Sequence, residues 1–231
     1  MAASLRPSRT ERLSAGVAHL ATALLAIALP LAASFAAARL LGPTLESKYF
    51  PWVTGRALGI AGYLALTALV ALGLWTRHPW RYNFRRPHGE TLLRTHAALG
   101  VATVALVLGH LLSLASDSYA GVGWLGAFLP GAARYRPTAV ALGTLGFGLM
   151  VLVASTARFA GRRGAKHWLA YHRLAVATFG LTWFHAVLAG TDAATLRPLY
   201  AVTGSVIAVL FVTRWLPGPA RITRQASEAP R

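Results

Sequence analysis

The chain has 231 residues, 55% of them hydrophobic and only 13% charged, with a formal net charge of +17 and no cysteine. A soluble domain usually carries about a quarter charged residues, so this composition excludes an ordinary water-soluble globule. The lack of cysteine excludes disulfides and any site built on a thiolate.

A bilayer-spanning helix takes roughly 20 mostly apolar residues, and six charge-free stretches of about that length follow one another along the chain. They are residues 13–38, 57–76, 95–116, 137–157, 174–191 and 198–213, with lengths of 26, 20, 22, 21, 18 and 16 residues. The first follows Arg6, Arg9 and Arg12 and ends in small residues, as a signal peptide does. Its apolar run exceeds the roughly 7–15 residues of a signal-peptide core, so it reads as a retained helix. Arg197 and Arg214 can snorkel and so lengthen the last stretch. The expected fold is an all-α, integral membrane bundle of six helices at approximately 13–38, 57–76, 95–116, 137–157, 168–191 and 197–214. It forms one transmembrane domain over 1–231, ending in a short basic tail at 217–231. Such a chain has no room for a separate flavin- or nucleotide-binding domain, which needs on the order of a hundred residues of its own.

A strongly basic soluble protein would suggest a nucleic-acid partner. Here the basic residues sit between apolar stretches, which predicts a lipid environment and topology signalling instead. Seventeen Lys and Arg fall at the two termini and in the loops after the second and fourth stretches, against six on the opposite side. The positive-inside rule then places both termini in the cytoplasm of a multi-pass protein of the cell (inner) membrane. The third and fifth helices run parallel, from inside to outside.

Those two helices carry four of the eight histidines. His110 and His185 each lie seven residues before an acidic residue of an outer loop, Asp117 and Asp192, while His96 and His172 lie beside Arg94 and Arg173. Two pairs at matched depths result, one near each surface. Fourteen residues of helix rise about 21 Å and thirteen about 19.5 Å, which together cover most of the ~30 Å hydrocarbon layer. Ionisable groups inside a membrane are costly and mark functional sites; the bland alternative is four unrelated packing residues bonding across helices. With Met1 and Met150 the only methionines, imidazole is the realistic ligand for an iron porphyrin, which predicts bis-His haem. Thirteen residues leave about 140° between the faces of His172 and His185, so a π-bulge or similar irregularity is expected between them. His167 shares a face with His185, but its ~27 Å separation would put a haem at the membrane surface. Of the others, His78, His88 and His167 lie in basic loops and read as solvated or phosphate-binding, and a lone His19 reads as a helix-packing residue.

Room for the porphyrin is expected at Gly100, one turn after His96, and at Gly109 and Gly180, although glycines such as those of Gly55-x-x-x-Gly59 serve helix packing equally well. Propionates need cations: Arg94 and Arg173 are placed for an inner haem, and Arg56, Arg134, Arg136 or Arg197 for an outer one, though all also read as interface anchors.

The pairs His96-x13-His110 and His172-x12-His185, the stretch Trp168-Leu-Ala-Tyr-His172-Arg173-Leu and the stretch Thr54-Gly-Arg-Ala-Leu-Gly-Ile-Ala-Gly-Tyr resemble the ferric reductase-like transmembrane domain family over roughly residues 50–216. That family includes NADPH oxidases, ferric reductases and the MsrQ-type haem subunit. The resemblance implies two haem b groups, held by His96 with His172 and by His110 with His185, and an aromatic such as Phe179 between them. It further implies an oxidoreductase electron-transfer subunit. Its donor would be a separate flavoprotein or a quinol, and its extracytoplasmic acceptor iron, oxygen or a reductase. The alternatives are a single-haem MsrQ-like subunit serving a periplasmic reductase, and a haem-free membrane scaffold or transporter.

Overall fold

A computed structural model describes residues 47–83, 89–160 and 167–216. The expected first span, His19, His88 and the 217–231 tail lie outside the described residues. Two units divide the chain, Met1–Phe50 and Pro51–Arg231, and nearly every described residue belongs to the second.

The described residues contain helices and turns and no strand, so the fold is all-α. In chain order the helices are α1 (Phe50–Thr76), α2 (Gly89–Ser116), α3 (Gly123–Phe128), α4 (Pro137–Thr156), α5 (Trp168–His172), α6 (Ala175–Ala189) and α7 (Arg197–Thr213), with single 3-10 turns at Pro79–Asn83 and Ala157–Phe159. Three of them, α1, α2 and α4, are long and apolar enough to cross a membrane, and α7 is apolar but only 17 residues long.

Helices α1 and α2 begin several residues before the charge-free stretches do, because their flanking arginines are accommodated inside the helix. The Arg56 guanidinium lies 4.3 Å over the Trp52 ring and pairs with Asp192. Arg94 pairs with Glu90, one turn earlier, at 2.7 Å. Helix α4 begins at Pro137 as expected, since proline pre-sets the first helical φ. The short α3 has no counterpart in the sequence reading: six residues carry too little periodicity to be seen. It folds back tightly, and a Cβ on Gly126 would stand 2.6 Å from the Ala133 Cα, so only glycine fits there.

The interior is small and partly polar, and the exterior is greasy. Thr103 and Thr178 are 0% and 2% exposed, whereas Val101 and Leu125 are each 73% exposed. This inversion suits lipid, where helices associate by close packing and buried hydroxyls bond within the bundle. Thr103 donates to the Leu99 carbonyl at 2.7 Å and Thr178 to Leu174 at 3.2 Å, so neither hydroxyl is left unpaired. The main core cluster joins Tyr63, Leu66, Val70 and Leu74 of α1 with Phe179 of α6 and Tyr200 and Ile207 of α7. Tyr63 stacks on Phe179 at 6.2 Å, meets Tyr200 edge-on at 5.3 Å and bonds the Thr203 hydroxyl. Trp183 Nε1 donates to the Tyr200 carbonyl at 2.9 Å and ties α6 to α7.

One loop histidine departs from expectation. His78 is only 1% exposed, stacked on Trp75 at 5.5 Å and edge-on to Trp80 at 5.3 Å. Its Nδ1 accepts from the Trp80 backbone N–H at 3.3 Å, which leaves the proton on Nε2. Nε2 faces the Thr213 hydroxyl at 3.0 Å. That hydroxyl gives its own hydrogen to the Val209 carbonyl at 2.6 Å, so it can only accept from His78. The residue is a staple between the C-terminal ends of α1 and α7, and burial pushes its pKa below the ordinary imidazole value. Loop position alone could not reveal this, because two tryptophans and a distant threonine build the enclosure.

Candidate functional site

Helix α2 is continuous from Gly89 to Ser116 and carries His96 and His110 on nearly one face, as fourteen residues require. The parallel run of α5 and α6 carries His172 and His185, with the expected irregularity at Arg173–Leu174. It is a tightening, not a π-bulge: Leu174 N bonds the Tyr171 carbonyl and Val176 N the Arg173 carbonyl, both three residues back, before the α pattern resumes with Thr178 N to Leu174. Three-residue bonds overwind the chain and reduce the phase deficit between the two histidines.

The imidazoles meet in two pairs. The ring centroids of His96 and His172 are 6.1 Å apart, and those of His110 and His185 are 6.3 Å apart. All four residues are half-buried between helices. Around the His110–His185 pair lies a cavity of about 550 Å³, lined by both imidazoles, Tyr63, Met150 and Tyr200 and also by Arg56 and Asp192.

Backbone and hydroxyl acceptors fix the rings. His110 Nδ1 lies 2.6 Å from the Gly55 carbonyl and His185 Nδ1 2.8 Å from the Ala139 carbonyl. A carbonyl only accepts, so each Nδ1 carries the proton and each Nε2 keeps a free lone pair. His172 Nδ1 lies 3.2 Å from the Thr156 hydroxyl, which already donates to the Val153 carbonyl at 2.6 Å and therefore accepts. His96 Nδ1 is buried with no hydrogen-bond partner among the described residues. Among the described residues no group of three or more His, Asp or Glu side chains converges, so each pair offers two donors and no more.

The other expected site residues fall in varied places. Gly100 and Gly180 face open space, with nothing within 4 Å of a Cβ position, while Gly109 packs on Leu58 of α1. Phe179 is 5% exposed, in the core cluster against Tyr63. Arg94 is bound to Glu90 with its side chain 80% exposed, and Arg173 is exposed beside Arg214 in an apolar groove between α6 and α7. Arg56 pairs with Asp192, and Arg136 donates to the Leu188 carbonyl at 2.6 Å. His167 is exposed at the start of α5. Sequence reading missed Thr156, Gly59, Gly73 and Gly143, each in contact with one of the four imidazoles.

No solved structure matches the chain. Residues 58–183, more than half of the sequence, match the family described as ferric reductase like transmembrane component, a stretch that takes in His96, His110 and His172 and stops two residues before His185. With three helices able to cross a membrane and this match, the chain belongs to the ferric reductase-like transmembrane family, whose members typically bind haem, and it is a multi-pass membrane component of electron transfer.

Proposed function

We propose that the protein is a dihaem b-type membrane cytochrome that carries electrons across the bilayer. The donor is a flavoprotein or quinol on the cytoplasmic side, and the acceptor is iron, oxygen or a reductase outside. The carrying observation is the spacing of the two imidazole pairs. An iron held between two imidazoles sits about 2 Å from each ligating nitrogen, itself about 1.1 Å from its ring centre, so the centroids should stand about 6.2 Å apart. The measured separations of 6.1 and 6.3 Å match that requirement. The donor count supports it too: two imidazoles are too few to complete the shell of a free metal ion, but they fill the two axial positions that a porphyrin leaves open.

In this reading His96 and His172 hold the inner haem, and His110 and His185 the outer one. Each bound haem supplies a one-electron centre. The chain's own groups do the rest. The Gly55 and Ala139 carbonyls and the Thr156 hydroxyl set the tautomer and raise ligand basicity. Tyr63, Met150 and Tyr200 wall the outer cavity against water, and the Arg56–Asp192 pair sits at its mouth, where an arginine can meet a carboxylate. Fourteen residues of α2 set the two levels about 21 Å apart along the helix. The proposal includes a sixth span at residues 13–38 and cytoplasmic termini, supported by the distribution of arginines.

Purified protein should give a dithionite-reduced b-type spectrum with about two haems per chain, and His110→Ala or His185→Ala should remove the outer haem from protein that still inserts. Colourless protein would sink the proposal. One observation favours a single-haem subunit as a second reading: the 550 Å³ cavity takes in only the outer pair. A haem-to-protein ratio near one would select it.

A further inference from the structure

Each imidazole of the four is met from the neighbouring antiparallel helix at a fixed register. On α1, Gly55, Gly59, Gly62 and Gly73 face Leu114, His110, Val107 and His96 of α2, each step forward along α1 matched by an equal step back along α2. On α4, Gly143 and Gly146 face His185 and Thr182 of α6, and Thr156 faces His172 in the same register. A Cβ on Gly59 would stand 2.7 Å from His110 Nδ1, one on Gly143 2.6 Å from His185 Nδ1, and one on Gly73 3.1 Å from His96 Cε1. Carbon does not approach a ring to under 3.0 Å without displacing it. Two of the acceptors repeat as well: the carbonyls of Gly55 and Ala139 belong to the residues one turn before Gly59 and Gly143.

We propose that Gly59 and Gly143 are seats for two of the ligand histidines, each pairing an absent side chain with a carbonyl one turn earlier, that Gly73 shares only the close approach at the third, and that Thr156 is the positioning residue at the fourth. This rests on the haem reading above. The absent Cβ lets the imidazole edge lie on the helix backbone, so that Nδ1 reaches a carbonyl already used within the helix. That bond turns Nε2 away from the seat, toward the facing histidine. At the fourth position α4 ends, Thr156 being its last residue, and the hydroxyl takes the carbonyl's place. His172 thus has a neutral hydroxyl acceptor at 3.2 Å, where His110 and His185 have carbonyls at 2.6 and 2.8 Å.

The test compares full-length wild type with Gly59→Ala, Gly143→Ala, Thr156→Val, Thr156→Ser and a control, Gly62→Ala. The control adds a methyl to the same helix interface, 3.0 Å from the Val107 Cγ2 and away from any imidazole. Haem content, the electron paramagnetic resonance of the ferric protein and a redox titration are measured on membrane-inserted material. Gly59→Ala and Gly143→Ala should each lose one haem of two, with the signal of the other unchanged, while Gly62→Ala keeps both. Thr156→Val should keep both haems but move one of the two midpoints to higher potential, since an imidazole without its Nδ1 acceptor is a weaker donor to ferric iron. Thr156→Ser should restore that midpoint. Wild-type haem content in both glycine variants, or haem loss in Gly62→Ala equal to theirs, overturns the glycine seats. Unmoved midpoints in Thr156→Val overturn the role of Thr156. Either result leaves the haem reading standing, whereas haem-free wild type removes both.

Discussion

Replacing Phe179 by alanine tests the assignment of inside and outside that the fold implies. Phe179 is 5% exposed and stacks on Tyr63 at 6.2 Å, at the centre of the cluster joining α1, α6 and α7. In a water-soluble core, Phe→Ala costs about 3–5 kcal/mol, a transfer contribution plus a cavity contribution. In a bilayer the separated helices still keep the side chain in hydrocarbon, so the transfer contribution falls away and only lost packing remains. Removing about 100 Å³ of side chain at about 24 cal/mol per Å³ of residual cavity gives about 2.4 kcal/mol. Val101, 73% exposed on α2, leaves no cavity on truncation because lipid fills the space, and Val101→Ala should cost no more than about 0.5 kcal/mol. Reversible unfolding in mixed detergent and dodecyl sulfate micelles, followed by circular dichroism, measures both. Equal losses for the two variants would refute the inside–outside assignment, and a loss above about 4 kcal/mol for Phe179→Ala would refute the lipid reference state.

The buried His78 makes stability depend on pH with a defined sign. Its folded pKa is depressed, so the unfolded chain takes up the proton first as pH falls through about 6.5, and the stabilisation is complete above that pH and declines below it. The advantage of wild type over His78→Gln in thermal melts should therefore shrink between about pH 7.5 and about pH 5.5, and a constant difference would refute it. Arg56 and Asp192 are partly exposed, at 30% and 39%, so a double-mutant cycle with Arg56→Ala and Asp192→Asn should give a coupling of about 0.5–1 kcal/mol that weakens with salt; a salt-independent value would mean the pair is sealed from water. The native chain has no cysteine, so Ser118→Cys supplies a single thiol in the turn after α2. An impermeant thiol reagent should label it from outside intact cells, and labelling only after lysis would invert the proposed topology.

Much of this fold was legible because the bilayer constrains it. Charge-free length located α4 and α7 to within a residue or so and the end of α2 at Ser116, since a segment in hydrocarbon must bond its own backbone and therefore be helical. Helix starts were placed late at Arg56 and Arg94, whose partners Asp192 and Glu90 let the charges stay in the helix. Matched depth singled out His96, His110, His172 and His185, because rise per residue is fixed along a helix. The residues that face them were also written in the chain: Gly59 and Gly73 are fourteen apart, as are His96 and His110, and Gly143 and Thr156 are thirteen apart, as are His172 and His185. That agreement has meaning only once α1 is known to lie antiparallel on α2, and α4 on α6.

Sequence alone determined an all-α membrane chain, the family signature and the spacing of the four histidines along their helices, because apolar length, charge placement and helical rise are one-dimensional quantities. Tertiary structure decided which way each imidazole turns, that His78 is a buried staple and not a solvated loop residue, that Arg94 is exposed and bound to Glu90, and which glycines lie against an imidazole and which pack elsewhere. Those outcomes depend on rotation about helix axes and on distances between distant residues, and neither is set until the helices pack.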